Sequence, residues 1–479
     1  MTVLLSASRL RELLGELSFD GPAYRELADR IRLLILDGRL SHGTRLPSER
    51  ELTVALGLSR TTVARVYAEL RDSDFLESHR GSGSVIRVPY VASSTSALVA
   101  HDTDDTAVSL TYAASAAPAG IGRAFEAAMH GLPALLTTTG YLPDGLPVLR
   151  ERIAGHYAAR GLPTTADQII VTSGAMGALS LIARTLLTRG DRVIVESPGY
   201  PHGFDTLTAA GARLSALPVG QTPWDEQSLR AMLRSGQHRA AYLIPDFHNP
   251  TGALMTDAER ERVATLLRRA RVTPVIDETM TGVNLDGVPM PVPFAAYDNR
   301  AVTVGSAAKT FWGGLRIGWI RSPRELVMPL IQARMSSDLG SAAFEQLVVA
   351  EILAAPDDIV ANSLESLRRQ RAHLRAALAR ELPDFELPVL SGGMCLWVTL
   401  PRRISTALVA EAARHKLILT PGPRFFAHHE AAGERHLRLP YTHSTEVLDD
   451  AVARLGTAYE QKSEQGRPHR NSDTIDLIA

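Results

Sequence analysis

Apolar residues recur at helical spacing in three short segments near the start of the chain. The first segment places four apolar residues on one face of a helix that stops at Gly38. A second helix begins after Ser48, and a third runs from 60 to about 71. Residues 75–86 then carry the Gly/Ser-rich pattern of a two-stranded hairpin. We therefore predict a three-helix domain with a hairpin over residues 18–88.

Beyond this domain the pattern changes to apolar strand-like runs that alternate with amphipathic helices. Residues 89–106 are rich in Ser, Thr, Ala and Asp and lack periodicity, which is typical of a linker. Residues 107–460 have the alternation expected of an α/β fold, a mostly parallel sheet with helices on both faces. The polar segment 461–479 is predicted to be a disordered tail.

Composition indicates the cellular compartment of the protein, but its overall charge does not indicate a binding partner. The 479 residues carry 51 Lys and Arg against 52 Asp and Glu, a net charge of −1. Binding to nucleic acid must therefore be argued from local placement. No run approaches the roughly 18 apolar residues that cross a bilayer, and no signal peptide is recognisable. Cys395 is the only cysteine, so we expect a cytoplasmic protein without a disulfide framework, a metal site or a membrane partner.

The second and third predicted helices have the spacing of a helix-turn-helix. Ser48 begins a capping box, and Ser59 caps the third helix. Arg60, Thr61 and Thr62 follow at the start of that helix, where a recognition helix enters the major groove. Hydroxyl groups suit phosphate oxygens, and a guanidinium can donate twice to guanine. A three-helix protein-interaction module with solvated arginines is the alternative interpretation.

The hairpin adds a wing to this arrangement. Arg80 and Gly81 lie at its tip, where glycines let the backbone approach DNA closely. Residues 24–86, with LPSERELTVALGLSRTTVARVYAELRDSDFLESHRGSGSVI, resemble the winged helix-turn-helix domain of GntR-family repressors. The resemblance implies that Arg50 of the PSER turn and residues 59–62 contact a double-stranded DNA operator.

Lysine-dependent chemistry has only three candidates, which are Lys309, Lys416 and Lys462. Lys309 follows the strand-like run 301–304 in the segment GSAAKT, whose small residues leave room for a planar ring. Partial burial would favour the neutral amine that Schiff-base formation needs. The other two lysines lie in an amphipathic stretch and in the polar tail. An ordinary solvated loop lysine is the alternative for position 309.

Four further features lie near the ends of predicted strands, where open α/β sheets bind ligands. Gly174 and Ala175 open a helix after the strand QIIVT, and backbone N–H groups there can hold a phosphate. Tyr200 in PGYP offers a ring that can stack on a pyridine, and Asn249 in NPTG offers an amide. Asp277 closes TPVID, where a carboxylate can pair with a pyridinium nitrogen. Alone, each feature could be an ordinary turn, core or capping residue.

The order and spacing of these residues resemble the fold-type I aminotransferases over residues 107–460. The resemblance implies a mostly parallel sheet with a smaller α+β part, and pyridoxal 5'-phosphate as cofactor. It implies that Lys309 forms the Schiff base, that Asp277 pairs with the ring nitrogen and that Asn249 bonds the phenolic oxygen.

The same resemblance assigns four more residues and exposes one departure. Ser306 and Arg316 would contact the cofactor phosphate, and Tyr141 would reach the phosphate of the neighbouring subunit. Arg438 in RHLRLPY would bind a substrate or effector carboxylate. Met280 stands where the fold usually has a tyrosine that donates to the ring oxygen, and a thioether cannot donate. The departure favours cofactor binding over efficient transamination.

The order of a winged helix-turn-helix domain, a linker and an aminotransferase-like domain resembles that of the MocR subfamily of GntR regulators. The resemblance implies a dimeric transcriptional regulator that senses pyridoxal phosphate, or an amine or amino-acid effector, and changes its DNA binding. An active fold-type I aminotransferase with an accessory DNA-binding domain is the alternative. A cofactor-free interaction protein is a third possibility.

Overall fold

The computed structural model describes residues 4–15, 17, 19, 22–36, 40, 43–73, 75–79, 83–87, 107–219, 224–428 and 431–465. The helices are α1 (Ala7–Leu14), α2 (Ala23–Leu36), α3 (Glu49–Leu56), α4 (Arg60–Asp72), α5 (Ile121–Met129), α6 (Leu132–Leu136), α7 (Pro147–Ala159), α8 (Gly174–Leu186), α9 (Pro201–Ala209), α10 (Glu226–Leu233), α11 (Asp257–Arg269), α12 (Arg324–Arg334), α13 (Ala343–Ala354), α14 (Asp357–Glu381), α15 (Ser405–Arg414) and α16 (Thr445–Gln465). The strands are β1 (Leu76–His79), β2 (Gly83–Ile86), β3 (Val108–Ser109), β4 (Ile169–Thr172), β5 (Arg192–Ser197), β6 (Arg213–Pro218), β7 (His238–Leu243), β8 (Thr273–Asp277), β9 (Val302–Ser306), β10 (Gly318–Arg321), β11 (Cys395–Thr399), β12 (Leu417–Ile418) and β13 (His436–Pro440).

Two compact units divide the chain. One comprises Met1–Ser96, Ala117–Gly140 and Ala343–Ser363, and the other comprises the remaining segments. Among the described residues, no helix is long and apolar enough to cross a membrane.

The first unit contains the predicted winged domain. The buried residues predicted on the third helix, now α4, are confirmed: Val63, Val66, Tyr67 and Leu70. β1 and β2 pair antiparallel as the predicted hairpin. Helix α1 lies before the predicted domain start at residue 18, yet its buried leucines, Leu10 among them, belong to the same apolar core. This core therefore begins earlier than the sequence pattern indicated.

A seven-stranded sheet in the order β4-β10-β9-β8-β7-β5-β6 forms the centre of the second unit. β10 runs antiparallel to both of its neighbours, and every other pair is parallel. The strands are continuous apolar runs because helices cover both faces of such a sheet, and all four residues of β4 are buried. Apolar residues of α8, α9 and α12 pack on the strands in one core. The predicted α/β fold class is confirmed.

A smaller α+β part completes this unit. β11 pairs antiparallel with β13, and β3 pairs parallel with β12. Leu374 of α14, Leu408 of α15 and Leu448 of α16 are buried in the same core as these strands.

The last helix corrects one predicted boundary. Helix α16 continues to Gln465, so the prediction that disorder begins at residue 461 is wrong for its first five positions. Polar contacts hold this turn: Lys462 Nζ lies 3.1 Å from Glu411 Oε2, and Gln461 Oε1 lies 3.2 Å from His415 Nε2. The rest of the predicted tail, from 466, and the predicted linker 89–106 lie outside the described residues.

Candidate functional site

A cavity of about 560 Å³ opens at the carboxyl ends of the central strands in the second unit. Eight of the residues predicted for cofactor or effector binding line it: Ala175, Tyr200, Asn249, Asp277, Ser306, Lys309, Arg316 and Arg438. These side chains come from distant parts of the sequence, and the parallel strands bring them to one edge of the sheet because successive strands end on the same side.

Lys309 follows β9 and reaches into this cavity. Its Nζ donates a hydrogen bond to the carbonyl oxygen of Ala113 at 2.7 Å. Burial lowers the pKa of Lys309 to about 8; the positive charge of Arg438 acts in the same direction, and Asp277 opposes it. Near neutral pH, a far larger fraction of Lys309 is therefore in the neutral amine form than for a solvated lysine.

The carboxylate of Asp277 lies at the end of β8 and is 6 % exposed. Tyr242 Oη donates to its Oδ2 at 2.6 Å, and the backbone N–H of Thr279 donates to its Oδ1 at 3.0 Å. Burial raises the pKa of Asp277, and both hydrogen bonds lower it. Sequence analysis missed Tyr242, although a tyrosine inside a buried strand usually needs a partner for its hydroxyl.

The start of α8 forms a cradle suited to an anion. Gly174 has a φ of +78°, and the side chain of Ser173 at the N-cap makes no capping hydrogen bond. Arg316 Nη2 donates to the carbonyl of Ser173 at 3.4 Å. A Cβ on Gly318 would lie 2.5 Å from the carbonyl carbon of Gly174, so β10 approaches the helix start as closely as glycine allows. A guanidinium therefore stands beside the N–H groups of a helix N-terminus.

Arg438 of β13 provides a second cation, 6 % exposed, in the same cavity. Its Nη2 donates to the carbonyl of Thr111, and its Nη1 lies 3.5 Å from Asn249 Oδ1. The guanidinium carbon lies 4.8 Å from the centre of the Phe425 ring. Its Nε is buried and has no hydrogen-bond partner within the described part of the chain. Sequence analysis missed Thr111 and Phe425, since a backbone carbonyl and a loop phenylalanine carry no motif.

The other predicted residues differ in position. Tyr200 precedes α9, and its ring packs edge-on against His202 with centroids 5.5 Å apart. Burial raises the pKa of Tyr200 to about 12. Met280 lines the cavity and is 7 % exposed. Tyr141 is 65 % exposed and does not line the cavity.

The helix-turn-helix residues lie in the first unit. The capping box predicted at Ser48 is confirmed by reciprocal hydrogen bonds with Glu51. Ser59 caps α4, where its Oγ accepts from the backbone N–H of Thr62 at 3.0 Å and lies 2.8 Å from Thr62 Oγ1. Both hydroxyls therefore also stabilise the helix start.

Four predicted DNA-contact residues are exposed: Arg50, Ser59, Arg60 and Thr61. The predicted wing-tip contacts Arg80 and Gly81 lie outside the described residues.

Comparison with known families assigns both parts of the chain. Residues 123–455 match the family model for aminotransferase class I and II. The chain belongs to this family. Residues 23–86 match the model for bacterial regulatory proteins of the gntR family. The predicted fusion of a GntR helix-turn-helix with an aminotransferase-like domain is confirmed.

Relatives of this aminotransferase-family chain include fused regulators and enzymes. It is 26% identical to YisV, an uncharacterised helix-turn-helix transcriptional regulator of Bacillus subtilis, over 89% of this chain and 93% of that protein. It is 28% identical to MocR, a probable rhizopine catabolism regulatory protein of Rhizobium meliloti, over 85% and 88% respectively. The crystal structure of LysN, an α-aminoadipate aminotransferase of Thermus thermophilus complexed with N-(5'-phosphopyridoxyl)-L-leucine, is 25% identical. It superposes with a TM-score of 0.66 over 75% of this chain and 93% of LysN.

The cavity fits pyridoxal 5'-phosphate, on which aminotransferases of this class depend. The cradle at Gly174 and Arg316 suits a phosphate, since a Cβ on that glycine would lie 2.8 Å from Arg316 Nη2. Asp277 offers a buried carboxylate to a ring nitrogen, and Lys309 offers an amine of lowered pKa to an aldehyde.

Proposed function

We propose that the chain is a cytoplasmic transcriptional regulator that binds an operator through its winged domain and senses a small molecule through a pyridoxal-phosphate site. One observation carries the proposal: a GntR helix-turn-helix at residues 23–86 shares a chain with a cavity that offers an amine, a carboxylate and an anion cradle. The relatives named as regulators support the same combination.

Lys309 is the proposed attachment point. Bound cofactor would supply an aldehyde, and Lys309 Nζ would be the amine that holds it covalently. The burial of this lysine supports the assignment because it keeps a larger fraction of the amine neutral. Asp277 would hold a proton on the ring nitrogen, and Asn249 would offer its amide to the phenolic oxygen. Tyr200 would pack beside the ring.

The phosphate is proposed to rest on the start of α8. Gly174 and Ala175 offer backbone N–H groups, and Ser306 and Arg316 add a hydroxyl and a charge. Tyr141 is proposed to reach the phosphate of the neighbouring subunit in a homodimer. Its 65 % exposure and its position away from the cavity of its own chain are consistent with that role.

The proposed effector is an amine, and the surroundings of Arg438 favour an amino acid. A carboxylate would satisfy the unpaired buried Nε of Arg438. Arg438 lies near enough to Lys309 to lower its pKa, so an amine joined to a carboxylate can meet both side chains. The effector must bind two conformers with different affinity for the signal to reach DNA.

DNA recognition is proposed to depend on the start of α4. Arg60 is exposed there, and its guanidinium can donate to both acceptors of a guanine. Thr61, with Ser59 and Thr62 beside it, is placed for phosphate oxygens, and Arg50 is exposed at the start of α3.

One experiment tests cofactor attachment and DNA binding on the same preparation. Purified chain is incubated with pyridoxal phosphate, reduced with borohydride and mapped by mass spectrometry, and the same preparation is used to select genomic DNA fragments. We expect one adduct, on Lys309, that is absent from Lys309→Ala and present in the matched control Lys416→Ala. Arg60→Ala should lose specific DNA fragments and keep the adduct.

Two results would contradict the proposal. A chain without any reducible adduct lacks the cofactor site. Repeated turnover of amino acids with a keto acid, without an effect on DNA binding, would favour an active aminotransferase.

A further inference from the structure

Tyr242 is a buried polar residue for which the cofactor roles proposed above have no use. It lies on β7, is 2 % exposed, and donates its hydroxyl to Asp277 Oδ2 at 2.6 Å. The N–H of Thr279 occupies the other oxygen, Oδ1, at 3.0 Å. Each carboxylate oxygen therefore has one fixed donor, which sets the plane in which Asp277 can meet a ring nitrogen.

Packing fixes the tyrosine ring as well as its hydroxyl. Gly203 of α9 lies against the ring, and a Cβ at that position would be 2.8 Å from Tyr242 Cε1. A side chain larger than hydrogen at position 203 would push the ring away from its place. The hydroxyl is thus held at Asp277 by contacts from a second element.

The charges around Asp277 make this hydrogen bond consequential. Burial and the nearby Glu196 of β5 both disfavour the ionised carboxylate, whereas Tyr242 and Thr279 favour it. Lys309 lines the same cavity, and the charge of Asp277 raises its pKa. The pKa of the Tyr242 hydroxyl is raised well above its ordinary value, chiefly by burial, so this hydroxyl stays a donor.

We propose that Tyr242 is a positioning residue that keeps Asp277 ionised and aimed at the ring nitrogen of the cofactor. The inference rests on the proposed cofactor site at Lys309. With the cofactor bound, an ionised Asp277 would keep a proton on the ring nitrogen, and the resulting positive charge would make the ring a stronger electron sink. Met280 offers no donor on the phenolic side of the ring, so the carboxylate side carries more of this control.

The readout is the proton on the nitrogen of the Lys309–cofactor bond, which changes the absorbance of the bound cofactor. Full-length chain loaded with pyridoxal phosphate is titrated with pH, as wild type and as Tyr242→Phe. Without the hydroxyl, the proton moves from the ring nitrogen toward Asp277. The loss of the ring charge then makes the linkage nitrogen easier to protonate. We expect the midpoint to rise by about one pH unit.

A matched control separates this effect from the general loss of a buried hydroxyl. Tyr157 is also buried, and its hydroxyl accepts from Trp319 Nε1 at 3.3 Å and does not line the cavity. Tyr157→Phe should leave the midpoint where it is. In an Asp277→Asn background, Tyr242→Phe should add no further shift, because the two residues act through one contact.

A second perturbation covers the case in which Tyr242→Phe fails to fold. Gly203→Ala keeps the tyrosine but displaces its ring, and it should move the midpoint in the same direction. Gly155→Ala, at a helical glycine with open space around it, is the control and should have no effect.

The outcomes distinguish this inference from the proposed function. If wild-type chain shows no cofactor absorbance, the cofactor site itself fails. If wild type and Tyr242→Phe both bind the cofactor and titrate at one midpoint, the site stands and the role of Tyr242 is wrong. A shift that persists at full size in the Asp277→Asn background would also overturn the role.

Discussion

At Lys309, burial and the guanidinium of Arg438 both favour the neutral amine, which is the form that attacks an aldehyde. With a pKa of about 8, about a tenth of this side chain is neutral at pH 7. We expect the rate of adduct formation to rise about tenfold per pH unit below that pKa and to level off above it. Stopped-flow absorbance after mixing with pyridoxal phosphate measures this profile.

Arg438→Ala serves as the control for this profile. Removal of its positive charge should move the levelling point to higher pH, because Arg438 helps to lower the pKa of Lys309. A rate that keeps rising to pH 10 in the wild-type chain would contradict the lowered pKa.

At the scale of elements, the anion cradle at the start of α8 depends on how closely β10 approaches that helix. A Cβ on Gly318 would lie 2.5 Å from the carbonyl carbon of Gly174 and 2.8 Å from the backbone nitrogen of Ala175. Gly318→Ala should therefore displace the helix start and weaken cofactor binding by roughly tenfold or more. Equilibrium titration with pyridoxal phosphate gives the affinity. Gly313→Ala, with open space around it, should bind normally, and equal affinity for both variants would contradict the argument.

The elements also show how far the sequence pattern reaches. Continuous apolar runs predicted the central strands because both faces of a parallel sheet are buried. The motif residues Asn249, Asp277 and Lys309 were placed in one cavity by the rule that ligands bind at strand ends. Periodicity failed where polar contacts determine the structure, as in the last turn of α16, which Lys462 holds to α15. It also could not find Tyr242, since which residue receives a buried hydroxyl depends on strand order.

At the scale of the molecule, two cations of the cavity contact the segment that follows the predicted linker. Arg438 donates to the carbonyl of Thr111, and Lys309 donates to that of Ala113. In the proposed function, a cofactor aldehyde or an effector carboxylate would engage these same two side chains. Occupancy of the cavity would therefore change the hydrogen bonds that hold the segment around Thr111 and Ala113.

In the proposed homodimer, Tyr141 completes the cofactor site of the neighbouring chain. Mixed dimers of two variants test this role. Chains with Lys309→Ala cannot form the adduct, and chains with Tyr141→Ala should retain the cofactor weakly. In a mixed dimer, the intact Lys309 of the second chain meets the intact Tyr141 of the first. We expect mixing to restore tight cofactor retention, with the reducible adduct only on the Tyr141→Ala chain. Gel filtration at limiting cofactor measures how much cofactor the mixture retains, and mass spectrometry after reduction shows which chain carries the adduct.

The control for this exchange is a chain that carries both substitutions. Mixed with Tyr141→Ala, it cannot supply the missing phenol, so retention should stay weak. Restoration by the double variant would mean that dimerisation alone tightens the site, and no restoration by Lys309→Ala would mean that Tyr141 does not act across the interface. Only rescue that depends on the phenol of the partner chain requires a cavity built by two subunits, and a dimer of that kind would carry two winged domains for one operator.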